Sequence, residues 1–166
     1  MTSAAEHAGE SRGPASAGSL RISSRRFGTI DVLSDQVLHF SHGLIGFPGV
    51  RRFVVLEHRP GSPFKWMLCL DDPDLAFAVA EPADLVRDYH PPLELAARLL
   101  STDPADIGVF VIVTIPSDPL SMTVNLMAPI VVDLHSREAR QLVLEDSSLG
   151  VAHRVICRPG GGAPAP

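Results

Sequence analysis

The chain has 166 residues, 45% hydrophobic and 20% charged, a composition that suits one water-soluble folded domain and excludes the collagen-like and highly charged disordered classes. A formal charge of −5 repels phosphate backbones and anionic lipid, and aromatics at 5% offer little for bases to stack on. A basic protein is therefore the expected partner, with no direct nucleic acid and no membrane.

Residues 1–20 are small and polar, without the apolar stretch of a secretory signal, and are expected to form a flexible tail in a cytoplasmic protein. Residues 159–166, rich in Gly, Pro and Ala, read the same way, which leaves 21–158 as one folded unit. No run approaches the ~20 apolar residues of a membrane helix.

Within that unit the dominant period is two. Strands are expected at Phe27–Leu33, Gln36–Phe40 and Arg52–Glu57. In the next two, Phe64, Trp66, Leu68 and Leu70 alternate with Lys65, Met67 and Cys69, and Leu75, Phe77 and Val79 alternate with alanines. Pro91-Pro92 ahead of Leu93, Ala96, Ala97 and Leu100, with Asp103-Pro104 behind, predicts a helix of about two turns. Ile107–Ile115 is β-branched and apolar on both faces, as a doubly covered central strand would be. Ser121–Ala128, Ile130–Leu134 and Gln141–Leu144 complete the set. Short turn-forming connections favour antiparallel pairing, so the expected fold is mainly β, a barrel-like single domain with short helices.

Chemistry-bearing motifs are sparse. No G-x-S-x-G, H-E-x-x-H, Walker-type or G-x-G-x-x-G string occurs, and neither an enzyme nor a cofactor is expected. His39 and His42 lie close enough to suggest a small metal-dependent hydrolase as an alternative, but two solvent-facing side chains explain them more simply. The two cysteines, Cys69 and Cys157, form no C-x-x-C, which argues against disulfide or zinc and for a reducing compartment; Cys69, on an apolar strand, reads as a buried inert thiol.

Two features point outward. From Asp71 to Asp118 there are ten acidic residues against two basic ones, Arg87 and Arg98, and such a segment would steer a basic surface; Asp84, Asp88 and Asp106 are its candidate contacts. In Gly43-Leu44-Ile45-Gly46-Phe47-Pro48-Gly49, the apolar Leu44, Ile45 and Phe47 occupy a glycine-rich turn. Either the loop tucks onto a barrel mouth or it is an apolar contact for another protein.

Six segments, in order over about residues 27–154, resemble the flagellar assembly factor FliW family: His42-Gly-Leu-Ile-Gly-Phe-Pro48, Arg51-Arg-Phe-Val-Val-Leu56, Trp66 with Asp71-Asp-Pro-Asp-Leu-Ala-Phe77, Val113-Thr-Ile-Pro116 to Asp118-Pro119, Met122 to Leu126 with Ala128-Pro-Ile-Val131, and Leu142-Val-Leu-Glu-Asp-Ser147. The resemblance implies a noncatalytic β-barrel-like factor that binds the translational repressor CsrA and flagellin. Free flagellin would occupy the factor; once flagellin is exported, the factor would relieve the repressor from flagellin mRNA. A flagellin chaperone without repressor binding is the alternative within that likeness. Val124, Met127, Asp133 and Leu149 depart from the family pattern, bearing on the partner surface more than on the fold.

Overall fold

The computed structural model describes residues 18–146 and 148–155; Cys157, the expected tail up to residue 17 and the C-terminal tail lie outside the described residues. The strands are β1 (Ser19–Ser24), β2 (Gly28–Leu33), β3 (Leu38–Phe40), β4 (Arg52–Glu57), β5 (Phe64–Cys69), β6 (Ala76–Ala80), β7 (Ile107–Thr114), β8 (Thr123–Val124), β9 (Ile130–Asp133), β10 (Glu138–Gln141) and β11 (His153–Arg154). Two helices, α1 (Pro82–Leu85) and α2 (Leu93–Leu100), fall between β6 and β7.

Seven strands close a ring in the order β3-β4-β5-β6-β7-β9-β10 and back to β3. All neighbours are antiparallel except β10 and β3. The exception to the expected antiparallel pairing follows from parity, since an odd number of alternating strands cannot close without one parallel pair. That pair sets Glu138 opposite His39 and Ala139 opposite Phe40, and removes the last open edges of the ring.

Alternation along each ring strand sends one set of side chains into the lumen and the other outward. Phe40, Phe53, Met67, Cys69, Val79, Ile130 and Val132 fill the lumen. The outward set is buried as well, because three further layers cover it. The β1–β2 hairpin lays Ile22, Ile30 and Val32 over Val54 and Leu68. Tyr89, Met122, Val124, Leu126 and Val155 cover Trp66, Ala78 and Val113. α2 seats Ala96 against Val131 and Leu142, its small residues permitting close approach to the sheet. β5 is thus buried on both faces along most of its length, with Met67, Leu68 and Cys69 inaccessible.

Some boundaries differ from expectation for identifiable reasons. β1 was missed and begins at Ser19, two residues inside the segment read as a tail; Leu20 and Ile22 are its only large apolar residues. The strand expected over Ser121–Ala128 shrinks to Thr123–Val124 because Asn125 Oδ1 accepts the Ala128 N–H in a side-chain turn and the Leu126 N–H leaves for the Gly150 carbonyl. The strand expected at Gln141–Leu144 starts earlier, at Glu138, since Asp133 organises the preceding turn by accepting from the His135 N–H at 2.9 Å and the Ser136 hydroxyl at 2.6 Å. α2 runs over the residues expected and stops at Ser101, which takes the left-handed conformation (φ 57°).

Candidate functional site

At one end of the barrel the loop between β3 and β4 folds back over the lumen. Gly43 has φ +69°, and a Cβ there would lie 2.7 Å from the Phe47 carbonyl oxygen, so the turn requires glycine. Leu44 and Phe47 exchange backbone hydrogen bonds of 3.3 and 2.8 Å across the turn. Ser41 anchors the base by donating to Glu138, and its carbonyl accepts from Arg51.

The tucked and exposed alternatives resolve residue by residue. Leu44 is 3% exposed and packs in the lumen cluster. Phe47 stands edge-on to Phe77 at 5.4 Å between ring centres, with 40% of its surface in solvent. Ile45 points outward at 57% exposure while its N–H donates to Gln141 Oε1 at 2.9 Å. The loop is therefore a plug on its inner side and an apolar surface on its outer side.

Much of the acidic segment is engaged within the molecule. Asp71 accepts from the N–H groups of Arg51 and Arg52 at 2.9 and 3.0 Å and pairs with the Arg52 guanidinium at 2.7 Å. Partial burial pushes its carboxyl up, but these donors together hold it below the usual carboxylate range. Asp74 binds the backbone and side chain of Arg25, Glu81 pairs with Lys65, and Asp118 caps the turn at Leu120 and Ser121.

The three predicted contacts part company here. Asp106, in the turn before β7, sits 3.0 Å from His135 Nε2. Asp84, in α1, and Asp88, beside the buried Tyr89, are exposed, and among the described residues neither side chain makes a hydrogen bond or ion pair. Asp84 and Asp106 share one end of the barrel, where β6 leaves and β7 begins; no bond joins Asp88 to either.

His39 and His42 are both exposed, and His42 Nδ1 lies 3.2 Å from the Arg140 guanidinium. Among the described residues no three His, Cys, Asp or Glu side chains are grouped to hold a metal ion. Cys69 is fully buried in the lumen and its thiol is pushed up by burial, the environment of an inert sulfur. No helix among the described residues is long and apolar enough to cross a membrane.

Sequence reading also missed two features. Leu95 and Leu99, one turn apart on α2, are 38% and 42% exposed; their i, i+4 spacing outside the Leu93, Ala96, Ala97, Leu100 stripe was the available signal. Trp66 has the Arg26 guanidinium over its ring, at 4.3 Å, and His58 edge-on to it, pairings brought from separate turns that no local pattern announces. Of the departures from the family pattern, Val124 is buried, Leu149 packs against the same cluster and Asp133 serves its turn, so these three act on the fold's interior.

A family model described as FliW protein matches residues 21–155, nearly all of the described chain. The chain belongs to the FliW family. Its relatives include the flagellar assembly factor FliW of Desulfitobacterium hafniense strain Y51, 36% identical over 139 residues covering 82% of this chain and 91% of that one. The flagellar assembly factor FliW of Bdellovibrio bacteriovorus is 38% identical over 141 residues, covering 82% of this chain and 79% of that one. A crystal structure of the flagellar assembly factor FliW superposes with a TM-score of 0.74 at 27% identity, over 84% of this chain and 99% of that one.

Proposed function

We propose that this FliW-family chain is a noncatalytic, cytoplasmic flagellar assembly factor that binds a CsrA-type translational repressor and flagellin, and so matches flagellin synthesis to export. The observation that carries the repressor half is that Asp84 and Asp88, like Glu94, remain exposed without internal counter-ions in a segment whose other carboxylates are engaged. Unsatisfied surface charge of one sign accelerates encounter with an oppositely charged partner, more than it deepens final affinity. Asp84→Lys with Asp88→Lys is expected to slow association with CsrA at low salt and flatten its salt dependence, with the melting temperature unchanged. An unchanged rate would remove these carboxylates from the mechanism. Asp106→Lys is tested separately, because it also breaks the His135 pair.

The flagellin half is supported by the outer side of the plug loop, where Ile45 presents an apolar side chain beside the half-exposed Phe47. Such a surface suits the apolar face of an amphipathic helix. Ile45 is exposed and belongs to none of the core clusters, so Ile45→Ser is expected to weaken flagellin binding without lowering stability; unchanged binding would leave the loop as a plug alone.

A further inference from the structure

The barrel end opposite the plug loop is open. There a cavity of about 240 Å³ runs into the lumen, walled by Leu38, Val55, Phe110, Val132 and Leu134, with Gln36 and Arg137 as its polar residues. Leu38 and Val132 are buried floor, and Leu134 is rim at 46% exposure.

Arg137 is the unusual member. It occupies the last position of the β9–β10 turn at φ +63°, a left-handed conformation that glycine or asparagine adopts at less cost and that a long side chain rarely takes. Arg137 as a whole is half-buried, and its guanidinium has no carboxylate partner among the described residues. At this end of the barrel Glu81 is engaged by Lys65, Asp106 by His135 and Asp133 by the turn it organises, while Asp84, exposed, does not line the cavity. Gln36, which lines the same space, spends its side-chain oxygen on the Leu33 N–H and keeps its amide N–H groups as donors. The polar side chains that line this apolar well are Arg137 and Gln36, with no carboxylate among them, a lining complementary to an anion carrying a short apolar tail.

We propose that this cavity binds a small aliphatic monocarboxylate, its tail between Phe110 and Val132 and its carboxylate on Arg137 and Gln36. The volume lies below the about 300–1,000 Å³ of pockets that enclose drug-sized ligands, which limits the occupant to a short chain. The site is distinct from the plug loop and from Asp88, and it stands whether or not the partner assignments above hold.

The test is titration of the full 15N-labelled chain with hexanoate, and in parallel with hexylamine, which carries the same tail and the opposite charge. Saturable shifts confined to Leu38, Phe110, Val132 and their neighbours with hexanoate, and none with hexylamine, are expected. Arg137→Asn relieves the left-handed position, so its melting temperature should hold or rise while hexanoate affinity falls by about tenfold or more. No saturable shift with hexanoate, equal response to hexylamine, or an Arg137→Asn chain that binds hexanoate as well as the parent would each overturn the proposal.

Discussion

The indole N–H of Trp66 points at His58 Nδ1, 3.4 Å away, and the other nitrogen of that imidazole is buried without a partner. Burial first, and then the charge of Arg59, hold the His58 imidazole below its ordinary range. The neutral ring accepts from the indole; a protonated ring would lose that bond and place a second cation beside the Arg26 guanidinium that faces Trp66.

Stability should therefore fall with acid in the histidine range. The unfolded chain takes up the His58 proton near the ordinary value of about 6.5 while the folded chain resists it, so the contribution is intact above that value and is lost as pH falls toward the depressed folded one. Urea midpoints followed by Trp66 fluorescence are expected to drop between about pH 7.5 and about pH 5.5, and His58→Gln should shrink the drop.

Gly43 and Gly46 separate two costs of adding a methyl group. Both have positive φ, but only at Gly43 does the new Cβ meet backbone. Gly46→Ala is expected to lose about 1–2 kcal/mol from conformation alone, and Gly43→Ala distinctly more because the Phe47 carbonyl must also move. Thermal melts of the two variants side by side check the order.

Phe47 and Phe53 provide a second contrast within one aromatic row. Phe53 is completely buried against Phe40, at 5.0 Å between ring centres, whereas Phe47 caps the row from outside. Phe53→Ala should cost about 3–5 kcal/mol through the cavity it leaves, and Phe47→Ser about 1–2 kcal/mol. Equal losses would show that the loop belongs to the core.

Asp71 should make stability fall in acid. Its carboxyl is held below the unfolded value of about 3.9, so its stabilisation is present above that pH and disappears as pH falls toward the folded value. Asp71→Asn is expected to lower stability at neutral pH by about 1–3 kcal/mol and to flatten the acid limb of the stability profile.

Cys69 should be silent toward thiol reagents in the native state. In a Cys157→Ser background, labelling by a disulfide reagent is expected only at the rate at which the barrel opens, and to become immediate in denaturant. Rapid native labelling would contradict a filled lumen.

Strand residues with strong alternation were legible from sequence because each face obeys a local rule: Phe64 to Cys69 and Ile107 to Thr114 fall where the pattern puts them. Failures came where a side chain redirected the backbone, as Asn125 and Asp133 do, or where an element was too polar to stand out, as with Ser19–Ser24. The acidic segment was countable in sequence, but which acids stay exposed was not. That depends on Arg25, Arg51, Arg52 and Lys65 arriving from other strands and turns. The loop's apolar residues were likewise visible, and only the closed ring decides that Leu44 turns in and Ile45 out.

The parallel junction of β3 with β10 joins residues about a hundred positions apart, and it has a consequence for synthesis. A nascent chain still lacking Glu138–Gln141 carries two bare strand margins, on Leu38–Phe40 and on Ile130–Asp133, and cannot shut. Circularisation must wait until Glu138–Gln141 has cleared the ribosome, which makes this a slow assembly step and exposes translation products truncated before it to self-association.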